Sequence, residues 1–341
     1  MKTVCFGEIM LRLSPPGFER FFQSPVLQAT FGGGEANVAV SLAQFGCHSA
    51  YVTCVPANPI GDAAVRTLRA EGVDVTHVLR GGARLGIYFA ETGASQRPST
   101  VVYDRGHSAI SQLRAGTVNW DAILAGAAWF HCTGITPALG PDAAACTREA
   151  LEAARRAGAR VSFDLNYRSK LWSERHAQHT LRPLMSLVDV VIANEEDLQS
   201  SLGIEVPHTD VKHASLEVES YRVAAERVCG EFGVAHVAVT LRESVSASDN
   251  TWSAVLFDAA TRTLHDSPRY AVRLIDRIGG GDSFAAGLIY ALLRGDACQA
   301  ALRFAVAASA LKQTIPGDFN HVSVGEVERL AGGDVSGRVQ R

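Results

Sequence analysis

Short apolar runs alternate with amphipathic stretches of helical length along most of this 341-residue chain. Val4-Cys5-Phe6 reads as a first strand. Residues 35–45 follow at helical spacing, with Val38, Leu42 and Phe45 on one face and Gly46 as the stop. A strand over residues 50–55 completes one β-α-β step. The alternation returns with a strand at 129–133, a helix over 141–157 that starts at Pro141 and stops at Gly158, and strands at 160–165, 188–193 and 236–241. Strands regularly separated by helices predict an α/β fold whose mostly parallel sheet carries helices on both faces.

Two segments break the rhythm. Residues 11–29 carry Pro15, Pro16, Gly17 and Pro25, and residues 86–104 alternate with period two through Ile87, Phe89, Val101 and Tyr103. Together they predict a small β cover over the main sheet. No internal repeat divides the chain, so one domain is expected over residues 1–330, with lid segments near 11–29 and 86–104. Residues 331–341, rich in glycine, predict a flexible tail.

Composition narrows the class of partner. Apolar residues make up 47% and charged residues 20%, enough for a substantial core. The formal net charge of −3, with no Lys/Arg cluster, gives no long-range attraction for nucleic acid or an anionic membrane, so a small-molecule partner is expected. No apolar run approaches the ~20 residues of a membrane span, and the N-terminal residues do not resemble a signal peptide. Seven cysteines are scattered without a C-x-x-C pair, which predicts neither a zinc site nor a disulfide framework and suits a reducing cytoplasm.

Gly279-Gly280-Gly281-Asp282 stands between an apolar run ending at Ile278 and a helical run from Ser283. Residues without side chains let several backbone N–H groups turn toward one point. The following helix adds the positive end of its dipole, so the loop suits an anion such as a phosphoryl group. Asp282 brings a carboxylate beside that anion, where it suits a base that takes the proton of an attacking hydroxyl. An ordinary helix N-cap uses the same residue types, so this pattern alone leaves both readings open. A second glycine run, Gly32-Gly33-Gly34, also feeds a helix and carries Asn37 in its first turn.

Gly32-Gly33-Gly34-Glu35-Ala36-Asn37-Val38-Ala39 resembles the N-terminal sugar-binding signature of the PfkB (ribokinase-like) carbohydrate kinases. Asp276-Arg277-Ile278-Gly279-Gly280-Gly281-Asp282-Ser283-Phe284 resembles their C-terminal signature. The resemblance covers most of the chain and implies a ribokinase-like three-layer fold with a mostly parallel central sheet and a small β-sheet lid. It implies transfer of the γ-phosphoryl group of ATP to a sugar hydroxyl, with Asp282 as base and the amides of Gly279, Gly280 and Gly281 stabilising the transferring group. Asp282 needs no unusual pKa for this, because the proton leaves late in a loose transition state. The resemblance further implies Mg2+ carried in with the nucleotide, and a monovalent cation such as K+ near the second signature. Asn194-Glu195-Glu196-Asp197 resembles the family's N-x-x-E motif, which implies that Asn194 and Asp197 organise the metal through water. A helix cap is the alternative reading of the same residues.

Period-two alternation puts Tyr103 and Arg105 on one face of a lid strand. It also puts Asp164, Asn166 and Arg168 on one side at the end of a predicted strand, where ligands collect in open α/β sheets. Two guanidinium groups converging on one site favour an anionic substrate. In their motifs, Tyr88, Tyr103, Arg105 and Arg168 are similar to the residues that hold the acidic sugar in 2-keto-3-deoxygluconate kinases. That likeness implies phosphorylation of the terminal hydroxyl of 2-keto-3-deoxygluconate, with Gly33, Gly34 and Asn37 on the sugar hydroxyls. Asn166, Arg168, Asn194, Thr240, Arg242, Gly279 and Gly281 are expected around the nucleotide. Thr240-Leu241-Arg242-Glu243-Ser244-Val245 lacks the glycine that the family commonly has in a loop here, so Arg242 is expected on the phosphates in place of backbone N–H groups. The rival expectations are a fructokinase or other neutral-sugar kinase, and a catalytically silent protein that binds a sugar or nucleotide. Exposed lid edges predict a homodimer or higher homo-oligomer.

Overall fold

The computed structural model describes residues 1–206, 220–334, 336 and 337, and the backbone alone of 218 and 219. The flexible tail expected over residues 331–341 therefore lies partly outside the described residues.

The chain opens with β1 (Lys2–Phe6), leaves the main sheet for β2 (Met10–Ser14) and β3 (Gln28–Gly32), and returns through α1 (Gly34–Gln44) to β4 (His48–Val55). Helix α2 (Pro59–Ala70) and β5 (Val78–Arg80) extend that side, and β6 (Gly86–Glu91) and β7 (Thr100–Asp104) leave it again. After α3 (Trp120–Leu124) come β8 (Trp129–Thr133), α4 (Ile135–Ala138), α5 (Pro141–Arg156), β9 (Arg160–Asp164), α6 (Glu174–Leu181) and β10 (Val190–Ala193). Helices α7 (Asp197–Leu202) and α8 (Val218–Phe232) precede β11 (His236–Ser244), β12 (Asp249–Asp258), β13 (Thr263–Asp266) and β14 (Tyr270–Arg273). The described chain closes with α9 (Gly280–Arg294), α10 (Cys298–Lys312) and α11 (Val324–Ala331).

In the large sheet the order is β13-β12-β11-β10-β9-β8-β1-β4-β5, with β14 against β12. From β11 across to β5 all neighbours are parallel. Side chains alternate across each strand, so Val4 and Phe6 enter one core layer and Cys5 the other, and Val191 and Ala193 face away from Val190 and Ile192. Burial on both faces is why these strands read as continuous apolar runs. Helices α1, α9 and α10 cover one face, and α3, α5 and α6 the other. Helices α9 and α10 pack so closely that a Cβ at Gly287 would lie 2.9 Å from the Ala305 Cα.

The antiparallel edge formed by β12, β13 and β14 has no counterpart in the sequence reading. Residues 245–248, which turn the chain from β11 into β12, contain neither glycine nor proline. The Ser246 hydroxyl holds the turn instead, accepting from the N–H groups of Ser248 (3.1 Å) and Asp249 (3.0 Å).

The lid is a separate sheet in the order β3-β2-β6-β7, drawn from the two segments that the sequence singled out. Its outer pairs are antiparallel, and its central seam, β2 with β6, is parallel. Strand β1 leads to β4 and β5 on one side while β8, β9, β10 and β11 lie on the other. The connections thus reverse beside β1, and in open α/β sheets ligands bind at such a reversal, beyond the carboxyl ends of the strands.

Candidate active site

A pocket of about 420 Å³ opens between the lid and the carboxyl ends of β9, β10 and β11. Every residue that the sequence nominated lines it. Gly33, Gly34 and Asn37 come from the start of α1; Tyr88, Tyr103 and Arg105 from the lid; Asn166 and Arg168 from beyond β9. Asn194 and Asp197 follow β10, Thr240 and Arg242 stand on β11, and Gly279, Gly280, Gly281 and Asp282 begin α9.

Gly279 caps α9 in the left-handed region, at φ 84°, and a Cβ there would lie 2.1 Å from the Asp318 carbonyl oxygen. Both facts require glycine. The N–H of Gly280 bonds to Arg277 O (3.3 Å) and that of Ser283 to Gly279 O (2.9 Å). The N–H groups of Gly281 and Asp282 have no acceptor among the described residues. They stand at the positive end of a 15-residue helix, on a side where a Cβ at Gly281 would meet open space. The loop has the build of an anion cradle.

Asp282 has its Oδ2 held by the Asn37 side-chain N–H at 2.7 Å, which joins the starts of α1 and α9. Burial pushes its carboxyl up to about 6. The Asn37 hydrogen bond opposes the rise, the Asp318 charge adds to it, and Arg168 and Lys312 oppose it. The sequence expected an ordinary carboxylate here; walls built from distant segments make the difference. Asp164 is raised as well, by burial first and then by the charges of Asp197 and Asp282. Another buried carboxyl, Glu35, takes hydrogen bonds from the Thr133 N–H and hydroxyl and from the Thr136 hydroxyl, all on Oε1, which anchors α1 to the end of β8.

The arginines divide. Arg105 is buried, and its Nε and Nη2 both donate to Glu8 Oε2, so its charge is already matched inside the protein. Its Nη1 has no protein partner among the described residues. Arg168 makes no ion pair among the described residues; its Nη1 donates to Tyr167 O at 2.9 Å. Strand alternation is not what gathers Asp164, Asn166 and Arg168, because β9 ends at Asp164 and Asn166 turns the chain at φ 42°. Tyr88 is a wall residue whose hydroxyl donates to Asp318 Oδ2 at 2.5 Å.

Asn194 and Asp197 cap each other. Asn194 Oδ1 accepts from the Asp197 N–H (3.1 Å), and Asp197 Oδ2 accepts from the Asn194 N–H (3.0 Å). Asp197 Oδ1 accepts from the Tyr167 N–H (3.0 Å), so this carboxylate ties the ends of β9 and β10 together. The strand read over residues 236–241 runs on to Ser244, so residues 242–244, where the family commonly has a loop, are the end of β11 paired with β12. Extended pairing with residues 250–254 leaves no room for a phosphate-wrapping loop there, and Thr240 and Arg242 reach the pocket from a strand.

Sequence reasoning passed over several residues at this site. Arg277 lines the pocket with Arg242; burial lowers its pKa and the Arg242 charge lowers it further. Arg12 bridges Asp276 and Asp318, at 2.7 Å to each, and thereby ties the lid to the cradle's flanking loops. Arg277 and Asp276 stood inside the second signature, where their charge was the available signal. Arg12 and Asp318, 306 positions apart, gave none.

The model for the pfkB family carbohydrate kinases matches residues 2–320. The chain is 35% identical to the 2-dehydro-3-deoxygalactonokinase of Haloferax volcanii over 334 residues, covering 98% of each chain. It is 28% identical to a fructokinase of Klebsiella pneumoniae over 301 residues, covering 85% and 84%. The crystal structure of 2-dehydro-3-deoxygluconokinase from Thermotoga maritima matches with a TM-score of 0.94 at 50% identity, over 98% of this chain and 100% of that one. The architecture is thus ribokinase-like, and the chain belongs to the pfkB family of carbohydrate kinases.

Proposed function

We propose that this kinase transfers the γ-phosphoryl group of ATP to the terminal hydroxyl of 2-keto-3-deoxygluconate. The observation that carries the choice of an acid is Arg168, a guanidinium without an ion pair in the pocket that also contains Asp282. A carboxylate is the natural partner of such a group. Tyr103 and the free Nη1 of Arg105 stand on the lid side of the same pocket. Relatives named for 2-keto-3-deoxy acids of both the gluco and galacto series agree with an acid, and the 50% identical structure favours the gluco form.

When bound, ATP supplies the phosphoryl group and Mg2+ offsets its charge. The chain's own residues fit a polyphosphate: Arg242 and Arg277 both line the pocket, close enough for the charge of one to lower the pKa of the other, and the N–H groups of Gly281 and Asp282 have no acceptor among the described residues. Asp282 takes the proton of the acceptor hydroxyl, oriented by Asn37, while Gly33 and Gly34 let the sugar approach the backbone. Gly279 and Gly280 set the cradle's shape. Asn166, Asn194 and Thr240 border the nucleotide, and Asn194 and Asp197 act on the metal through water, since both Asp197 oxygens already accept backbone N–H groups. The lid excludes water from the transfer. No helix among the described residues is long and apolar enough to cross a membrane. The protein works in the cytoplasm, as a homodimer, on small molecules and not on nucleic acid.

The test is ADP release with 2-keto-3-deoxygluconate, its galacto epimer, fructose and no sugar. We expect turnover on the gluco acid well above that on its epimer, and above fructose by about 100-fold or more, the scale of one lost charge pair. Asp282→Asn should lower kcat by roughly 10²–10⁴-fold with little change in KM for ATP. Faster turnover of fructose makes this a neutral-sugar kinase, and ADP release with none of the sugars makes it a binding protein.

A further inference from the structure

Lys312, the last residue of α10, is fully buried. Its ammonium donates to three backbone carbonyls: Ile278, Gly317 (2.6 Å) and Asp276 (3.4 Å). A neutral amine has two N–H donors and an ammonium three, so three carbonyl acceptors call for the charged form. The acceptors belong to two loops. Residues 276–278 lead directly into Gly279, and Gly317 precedes Asp318, whose carbonyl oxygen would be struck by a Cβ at Gly279. The same Cβ would lie 3.1 Å from Lys312 Cε, so the lysine stem runs directly behind the cradle.

Carbonyl oxygens converging from separate loops on one bare charge are how proteins replace the hydration shell of a monovalent cation. An ammonium group is close to K+ in size and charge. The negative charge that would attract a free cation is also matched: Arg12 pairs with both Asp276 and Asp318. We infer that the Lys312 ammonium is the built-in monovalent cation of this cage, a positioning residue that fixes the two loops behind the cradle and makes turnover independent of added K+. The inference rests on the reading of residues 279–282 as the phosphoryl cradle. It replaces the K+ expected near the second signature by a charge that the chain supplies itself.

The experiment measures kcat of the whole enzyme in chloride salts of K+, Na+ and choline at one ionic strength. The wild type should vary by less than about two-fold. Lys312→Ala, checked for folding by its thermal transition, should lose about ten-fold or more in kcat with a smaller change in KM for the sugar acid, and K+ or methylammonium, but not choline, should restore most of it. Wild-type activation several-fold by K+ overturns the inference. So does a folded variant with wild-type kcat, or a loss that neither K+ nor methylammonium repairs. If Lys312→Ala does not fold, the wild-type comparison decides: a flat response supports the inference and K+ activation overturns it. Asp282→Asn in the same assay separates the two readings. If it turns over normally, the cradle reading fails; if it is inactive while the wild type needs K+, only the role of Lys312 fails.

Discussion

Because the burial of Asp282 raises its carboxyl to about 6, the base proposed here is lost to protonation in a pH range that enzymes meet. The ionised form is the active one, so kcat/KM should be flat above that value and fall about ten-fold per pH unit below it. Asn37 stabilises the ionised form through its hydrogen bond, so Asn37→Ala should move this acid limb upward; a limb that stays put assigns the ionisation to another group, such as the buried Asp164. The arginines give a second contrast. Arg168→Ala should cost on the order of 2–5 kcal/mol in transition-state binding of the acid, and little with fructose, at unchanged thermal stability. Arg105→Ala leaves Glu8 buried and unpaired, so it should lower stability by about 3–5 kcal/mol for every substrate. Sequence presented these two arginines as equivalents, because Glu8 lies 97 positions away and nothing local reveals the pairing. The place of Asp282 and its glycines in the pocket was legible for the opposite reason: a glycine loop, the helix it feeds and a carboxylate in the first turn are contiguous in the chain, so they keep a fixed spacing.

At the scale of the element, the start of α9 separates shape from contact. Gly279→Ala would put a side chain at φ 84° and 2.1 Å from Asp318 O, so it should cost more than the 1–2 kcal/mol of a left-handed alanine and abolish turnover together with stability. Gly281→Ala adds a methyl to a helical position with nothing within 4 Å. It should leave stability equal or raise it by about 0.4–1 kcal/mol, while the methyl intrudes where the phosphoryl group passes and turnover falls. Melting curves beside kcat check both, and an active Gly281→Ala removes the cradle from the reaction path. Elements were readable where burial is uniform. The central parallel strands are apolar on both faces and so were readable by period and length, whereas β5, short and half-exposed at the edge, was not. The strand ending at Ser244 and the β12 edge were not, because a turn built on a serine side chain, without glycine or proline, leaves no break in the pattern.

For the whole molecule, the lid carries apolar surface that a monomer would leave in water. Phe22 is 77% exposed, Phe18 56%, Val26 53% and Val102 48%, all on the lid strands or the segment joining β2 to β3. Phe22 also holds φ 61°, a strained conformation for a bulky residue, which points to an environment that fixes it. The outer strands of the lid, β3 and β7, are free edges among the described residues, and exposed apolar edges of this kind pair with a second copy unless something blunts them. Light scattering should therefore give twice the 36.3 kDa chain mass. The double variant Phe22→Asp, Val102→Asp should shift the particle to a monomer without lowering the stability of the main sheet. Because Tyr103 and Arg105 belong to the same lid, the monomer should bind the sugar acid more weakly while its KM for ATP stays near the wild-type value. A wild-type monomer at assay concentration, or a double variant that remains dimeric, moves the interface away from the lid and leaves its apolar surface to closure over the substrate alone.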